Sequence, residues 1–340
     1  AAGTPAELGE LQVWDVASRE LKLSVPVGSD TLSGARWSPD GTRIAFGSVN
    51  IVRVVNAETG EEVLFQGAHE DWVIDTAFTS DGAHVVSVAR DMTCKLTEVA
   101  TQRFIDNVTS ITPGALSGGL NSIAAHHERN EILVGGADGV AKVYRVFRET
   151  ARVIGDDANL IRALPPLNGR IFSVAISPDG SHIAAAATID GTSEIRVWKY
   201  NFGGATPEEI KPLLGKKPEE LSDEQKAILA EYRKVEAAQV WQYTTDSAAL
   251  YAISFAADHS LIAAGSGDNV LKFDPAGTLT AQWPVVPKVA DAEASKVAAT
   301  ASADARFDAA AWSTDTARAA KLQTEEPAID AAAIASIEVL

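Results

Sequence analysis

The sequence predicts an all-β fold built from repeats, on three observations. The first is a turn, Ser177-Pro178-Asp179-Gly180, set between two apolar runs, Ile171-Phe172-Ser173-Val174-Ala175-Ile176 and His182-Ile183-Ala184-Ala185-Ala186. Proline pre-sets φ at about −65°, Asp tolerates the bridge conformation and Gly accepts positive φ. Apolar runs on both sides make the segment a β-hairpin. The second observation is that the hairpin recurs. Ser38-Pro39-Asp40-Gly41 and Thr79-Ser80-Asp81-Gly82 are close copies; His127-Glu128-Arg129-Asn130 and Ala256-Ala257-Asp258-His259 are degenerate ones. The third is a period. After each hairpin comes an alternating strand that ends in an aromatic or its replacement, at positions 14, 55, 97, 144, 198 and 273, separated by 41, 42, 47, 54 and 75 residues. The first two separations fall within the roughly 40 to 45 residues of a four-stranded propeller blade.

Taken in order, the chain starts inside a blade. Residues 1–10 have room for the end of a second strand, and strands three and four follow at 11–16 and 20–28. Five fuller repeats are expected at about 32–66, 72–108, 119–165, 169–245 and 248–283. Polar turns such as Asn56-Ala57-Glu58-Thr59-Gly60 join third strands to fourth ones such as Glu62-Val63-Leu64-Phe65-Gln66. The propeller domain thus spans 1–287, and a seven-bladed ring would need further sequence upstream. One blade carries an insertion, 204–236. Thr206-Pro207-Glu208-Glu209 reads as a helix start and Ser222-Asp223-Glu224-Gln225 as a capping box. Ile228, Tyr232 and Val235 then share one helical face, and the helical pair is expected outside the ring. Residues 288–334 read as a linker with helical tendency: 19 of the 52 residues from 289 to 340 are Ala. Residues 335–340 alternate like the start of a further domain.

Composition excludes several functions. The 340 residues carry 46 Asp and Glu against 29 Lys and Arg, a formal net charge of −17. Such a surface repels phosphate backbones, so no nucleic-acid partner is expected. No run approaches the roughly 18 to 20 apolar residues of a membrane helix. Residues 1–10 have neither a basic start nor an apolar core, so no signal peptide is expected there. The only cysteine, Cys94, excludes a disulfide framework, a cysteine-cluster metal site and a Cys-x-x-Cys-His haem attachment within the segment.

Trp14-Asp15, the Ser-Pro-Asp-Gly hairpins and Gly67-Ala68-His69-Glu70-Asp71-Trp72-Val73 resemble WD-repeat β-propellers. The runs 90–99, 110–116 and 152–159 resemble, more narrowly, the propellers of large planctomycete-type multidomain proteins. That resemblance implies a c-type cytochrome domain upstream, an Ig-like domain downstream and an extracytoplasmic location.

His69, Ser87 and Asp91 are the sharpest chemical constellation. A hydrolase would set Ser, His and carboxylate in that relation. In WD-repeat proteins the same positions form a buried polar network that fixes the blade turns, and no Gly-x-Ser-x-Gly elbow is present. The structural network is the preferred reading, left incomplete by Thr97 where Trp is usual. His126-His127-Glu128 sits in a turn whose neighbours point to opposite faces, so it reads as solvated rather than metal-binding. Asp156 and Asp157 with Asn159 could offer oxygen ligands, but lack the Asp-x-Asp-x-Asp-Gly spacing of a calcium loop. Asp156 and Asp157 remain possible interaction residues, as does Trp72 in the loop leading into a blade. The glycine-rich Gly135–Gly139 and Gly265–Asp268 precede strands rather than helices and read as blade turns. Trp37, Phe78, Phe172 and Phe255 read as inter-blade core. Arg53, Lys95, Lys142, Arg196 and Lys272 read as a solvated strand face. No catalytic residue, metal ligand or cofactor is assigned to the segment. The expected function is a protein-interaction scaffold in a larger protein, with protein partners or neighbouring domains of the same chain. The alternative is the propeller of a redox protein with an upstream cytochrome domain.

Overall fold

The computed structural model describes residues 2–4, 8–28, 30–110, 118–151, 157–201, 207–214, 216, 218–233, 239–267 and 269–284. The expected linker 288–334 and the segment 335–340 lie outside them. The chain divides into one unit of Ala1–Gly267 with Leu271–Ala281 and a second of Asp268–Val270 with Gln282–Leu340.

The described strands form antiparallel sheets that follow one another along the chain. The first has three strands, β1 (Ala2–Thr4), β2 (Leu8–Asp15) and β3 (Glu20–Gly28). The second holds β4 (Ser33–Trp37), β5 (Arg43–Gly47), β6 (Val52–Asn56) and β7 (Glu62–Gln66). The third holds β8 (Val73–Phe78), β9 (His84–Ala89), β10 (Cys94–Glu98) and β11 (Phe104–Asn107). The fourth holds β12 (Leu120–Ala125), β13 (Glu131–Gly136), β14 (Lys142–Arg145) and β15 (Leu160–Ala163). The fifth holds β16 (Arg170–Ile176), β17 (His182–Ile189), β18 (Thr192–Lys199) and β19 (Gln239–Thr245). The sixth holds β20 (Leu250–Phe255), β21 (Leu261–Gly265), β22 (Asn269–Phe273) and β23 (Leu279–Pro284). Each is an up-and-down meander, as a propeller blade requires.

The hairpin turns work as their residues dictate. Gly41, Gly82 and Gly180 sit at φ +69°, +66° and +68°, and in the degenerate copy His259 takes φ 61° instead. The Asp of each turn has a second task. The Ser38, Thr79, Ser177 and Ser260 hydroxyls donate to Asp40, Asp81, Asp179 and Asp258. These bonds hold the four carboxyls below their usual range, Asp40 to about 2.

Bulges recur with the same regularity. Each first strand slips in register beside its opening residues, at Ser33/Arg36, Val73/Asp75, Leu120/Ser122, Ile171/Ser173 and Leu250/Ala252. A second slip, between third and fourth strands, falls at Trp14, Val55, Thr97, Tyr144 and Trp198. These are five of the six positions whose spacing revealed the repeat. A bulge leaves one residue out of the ladder and bends the strand, so the period read from sequence marks a geometric event.

The apolar core is divided among the sheet-to-sheet contacts. Leu11 and Phe46 meet between the first two sheets, Val54 and Val85 between the next two, and Leu96 and Ile132 after them. Leu133 and Ile183, then Val197 and Leu261, continue the series. Burying one such side chain contributes about 1.5–3 kcal/mol, so each sheet depends on its neighbour.

The insertion between β18 and β19 contains α1 (Lys211–Leu214), a 3-10 turn at Pro218–Glu220 and α2 (Asp223–Arg233). The capping box closes both ways, Gln225 N–H to Ser222 Oγ and Ser222 N–H to Gln225 Oε1, each 3.2 Å. The buried stripe of α2 differs from the expected one. Leu229 is buried and Tyr232 half-buried, while Ile228 is 43% exposed. Val235 lies outside the described residues. The reason is what the helix packs on: Leu229 joins Ala158, Ile210 and Leu213 in one cluster. Tyr232 lies under the Arg162 guanidinium of β15, 4.2 Å from its ring centre. The insertion therefore rests on the outer strand of the preceding blade.

Candidate functional site

His69 lies in the loop before β8, Ser87 in β9 and Asp91 in the turn before β10. The fold brings them together. His69 Nε2 is 2.8 Å from Ser87 Oγ, and Nδ1 is 2.9 Å from Asp91 Oδ2. The turn itself feeds the carboxylate: Glu70 N–H donates to Oδ2 at 3.0 Å, and the Thr93 N–H and hydroxyl to Oδ1 at 2.9 and 2.7 Å. Burial opposes the charge on Asp91, but the bonds from His69, Thr93 and Glu70 prevail and hold its carboxyl well below the usual range. The order resembles Ser-His-Asp, yet Ser87 is 1% and His69 4% exposed. A nucleophile must reach its substrate, and this hydroxyl is enclosed by the blade. Thr97 is buried in β10, and Thr93 supplies the extra hydroxyl, 3.2 Å from His69 Nδ1. Thr93 was legible only as part of the turn.

The other candidates separate. Trp72 is half-buried; its backbone bridges Val49 of the preceding blade, and its carbonyl accepts from Arg90 N–H at 3.0 Å. Asp157 is half-buried and its carbonyl accepts from Leu160 N–H at 3.0 Å. Asp156 lies outside the described residues. Asn159 is buried and turned away from a shared ligand, its amide donating to Val108 O at 3.0 Å.

Three expectations are corrected. His126 is buried rather than solvated, because its Nδ1 caps the turn it begins, accepting from Glu128 and Arg129 N–H at 3.1 Å each. Burial lowers its pKa below 6.5, and Arg129 beside it acts in the same direction. Trp37 is 54% exposed rather than core, since it ends β4 at the mouth of a cavity, while Phe78 is buried and Phe172 and Phe255 are half-buried. The five strand cations are paired rather than solvated. Arg53 meets Glu62 at 2.9 Å and Lys272 meets Asp258 at 3.0 Å; Lys142 pairs with Asp138 and Arg196 with Glu194. Lys95 donates to Ala68 O and stands 3.9 Å from Asp91. A nearby turn or strand supplies each acceptor, so their regular spacing reflects repeated pairing.

One constellation escaped the sequence reading. Asp75, 5% exposed in the middle of β8, accepts from Arg36 Nη2 of β4 at 3.0 Å and from Ile123 N–H of β12 at 3.1 Å. At the equivalent bulge of the next blade, Ser122 Oγ accepts from Val174 N–H of β16 at 3.1 Å. One blade further, Ser173 Oγ accepts from Ile253 N–H of β20 at 3.0 Å. In three successive blades, then, a polar side chain at the first-strand bulge takes a backbone N–H from the first strand of the following blade. Burial pushes the Asp75 carboxyl up, against the pull of Arg36. A polar residue two places after the opening aliphatic of three successive apolar runs was the available signal.

Two cavities open along the innermost strands. One, of about 640 Å³, lies at the hairpin ends and includes Arg36, Trp37, Phe78, His127 and Phe255. The other, of about 620 Å³, lies at the opposite ends and includes Arg170, Phe172, Asp190 and Tyr251. Neither is lined by His69, Ser87 or Asp91. Among the described residues, no group of three or more His, Cys, Asp or Glu side chains could hold a metal ion. No described helix is long and apolar enough to cross a membrane.

The fold is all-β and of the WD-repeat β-propeller class, with a helical insertion in one blade. Residues 60–97, 160–199 and 238–273 match the family model of the WD domain, G-beta repeat. Each match begins at the outer strand of one sheet, β7, β15 or β19, and runs through the first three strands of the next. The sequence unit thus straddles two blades. The chain is also similar to a WD repeat-containing protein 26 homolog of Arabidopsis thaliana, 26% identical over 216 residues. The match takes in 54% of this chain and 36% of that protein, so the chain spans only about a third of the relative's length.

Proposed function

We propose that the segment is a non-catalytic protein-interaction scaffold within a larger multidomain protein. One observation carries the reading: the Ser87, His69 and Asp91 side chains that could do chemistry are enclosed and bonded to the blade itself. The WD repeats support it, since rigid sheets with exposed loops suit docking. Protein partners, or neighbouring domains of the same polypeptide, are the expected ligands. The test is a crosslinking and affinity-capture survey with the full chain. Specific, saturable partners are expected; a chain that captures none sinks the reading.

A further inference from the structure

The cavity of about 620 Å³ opens where second-to-third-strand turns meet the loops leading into first strands, across the fourth, fifth and sixth sheets. Its wall is aromatic. Phe172 and Tyr251 meet edge to face, ring centres 5.2 Å apart, and Tyr251 is 49% exposed. Ile189 beside them is 42% exposed. The rim is fixed: Asp190 and Gly191 take φ 49° and 82°, a two-residue turn between β17 and β18. Arg170 lies exposed in the same wall. The five strand cations are taken by carboxylates or a carbonyl, and the rim's own Asp138 is neutralised by Lys142. Among the described residues, Arg170 makes no ion pair or side-chain hydrogen bond, and Tyr251 Oη has no hydrogen bond.

The guanidinium is left without an acidic partner in a chain of net charge −17, as the exposed Arg19 and Arg103 are, but it alone of the three lines a cavity. Beside the exposed Tyr251 and the half-buried Phe172 it offers what binding hot spots use: Tyr and Arg around a pocket that can be dried. We propose that this cavity seats a peptide segment of a protein partner, an apolar side chain packing on Phe172 and Tyr251 and a neighbouring carboxylate pairing with Arg170. Asp190 orients the peptide, since it repels the carboxylate toward Arg170 and can accept a peptide N–H. The inference rests on the scaffold reading and deepens it.

The test uses the full chain and three labelled peptides of one Gly/Ser frame, carrying Leu-Glu, Leu-Lys or Ser-Glu, titrated to millimolar by anisotropy. Leu-Glu should bind at least about tenfold tighter than the other two, a gap of about 1.4 kcal/mol. Arg170→Gln and Tyr251→Ala should each remove that preference, the first with the thermal melt unchanged because its side chain is exposed, the second with the cooperative melt kept and only slightly lowered as Phe172 loses its edge-to-face partner. Equal binding of Leu-Lys, no binding of any peptide, indifference to both variants, or displacement by inorganic phosphate would each overturn the assignment. The partner survey is then repeated with Arg170→Gln/Tyr251→Ala. Partners retained equally by both chains would reject this pocket and leave the scaffold standing. A wild-type chain without partners would reject the scaffold itself.

Discussion

His69 is the residue on which the chemical and structural accounts part. With Ser87 and Asp91 bonded to its two nitrogens, His69→Ala leaves two buried groups short of a partner. The expected loss is about 1–3 kcal/mol of stability, read in denaturant melts. Ser87→Ala with His69→Ala should be non-additive by about 0.5–3 kcal/mol, as residues of one network are; additive losses would mean the pair does not interact. His126 carries a pH prediction. Burial and the adjacent Arg129 favour the neutral ring, so its pKa falls below 6.5, and the neutral Nδ1 accepts two backbone N–H groups. A base depressed by folding lends stability in full above its unfolded pKa, and that contribution is lost as pH falls through about 6.5. His126→Asn keeps an acceptor at the same place without titrating. Melts from pH 7.5 to 5 should therefore show a smaller stability loss in the variant. An equal loss in both proteins would remove His126 from the account.

At the scale of the element, the turns were legible because each residue type has one job there. Gly41 and Gly180 share nearly the same φ, +69° and +68°, but differ in surroundings. A Cβ on Gly41 meets nothing within 4 Å, whereas one on Gly180 falls 2.4 Å from His126 Nε2. Both Gly→Val changes carry left-handed strain of about 1–3 kcal/mol. Gly180→Val should lower the melting temperature further than Gly41→Val; equal shifts would misplace His126. The helical insertion was read well at its second cap, Ser222, and one residue off along its stripe. Thr206 of the first expected cap lies outside the described residues, and α1 begins at Lys211. A cap is a local signal, whereas which face is buried depends on Ala158 and Arg162 of another blade. Replacing 204–236 by a short Gly/Ser loop should keep one cooperative melt, weakened by about 0.5–2 kcal/mol as Arg162 loses its ring. Loss of cooperative β unfolding would make the helices part of the core.

For the whole molecule, strand order and repeat period were readable because alternation and turn chemistry are written locally. The latches between blades were not. Asp75, Ser122 and Ser173 look like ordinary strand residues until the sheets are set side by side, and Arg36 lies 39 positions from Asp75. The cavity residues Arg170 and Tyr251 come from different blades and share no motif. The central claim is that buried polar side chains join successive blades while exposed loops and cavities are left for partners. Residue-resolved hydrogen exchange of the full chain tests it most directly. The Ile123, Val174 and Ile253 amides, each bonded to a side chain of the preceding blade, should exchange only through global unfolding, and Asp75→Ala should speed Ile123 well before Ile253. Exchange of these three amides as fast as that of the hairpin turns would contradict the account.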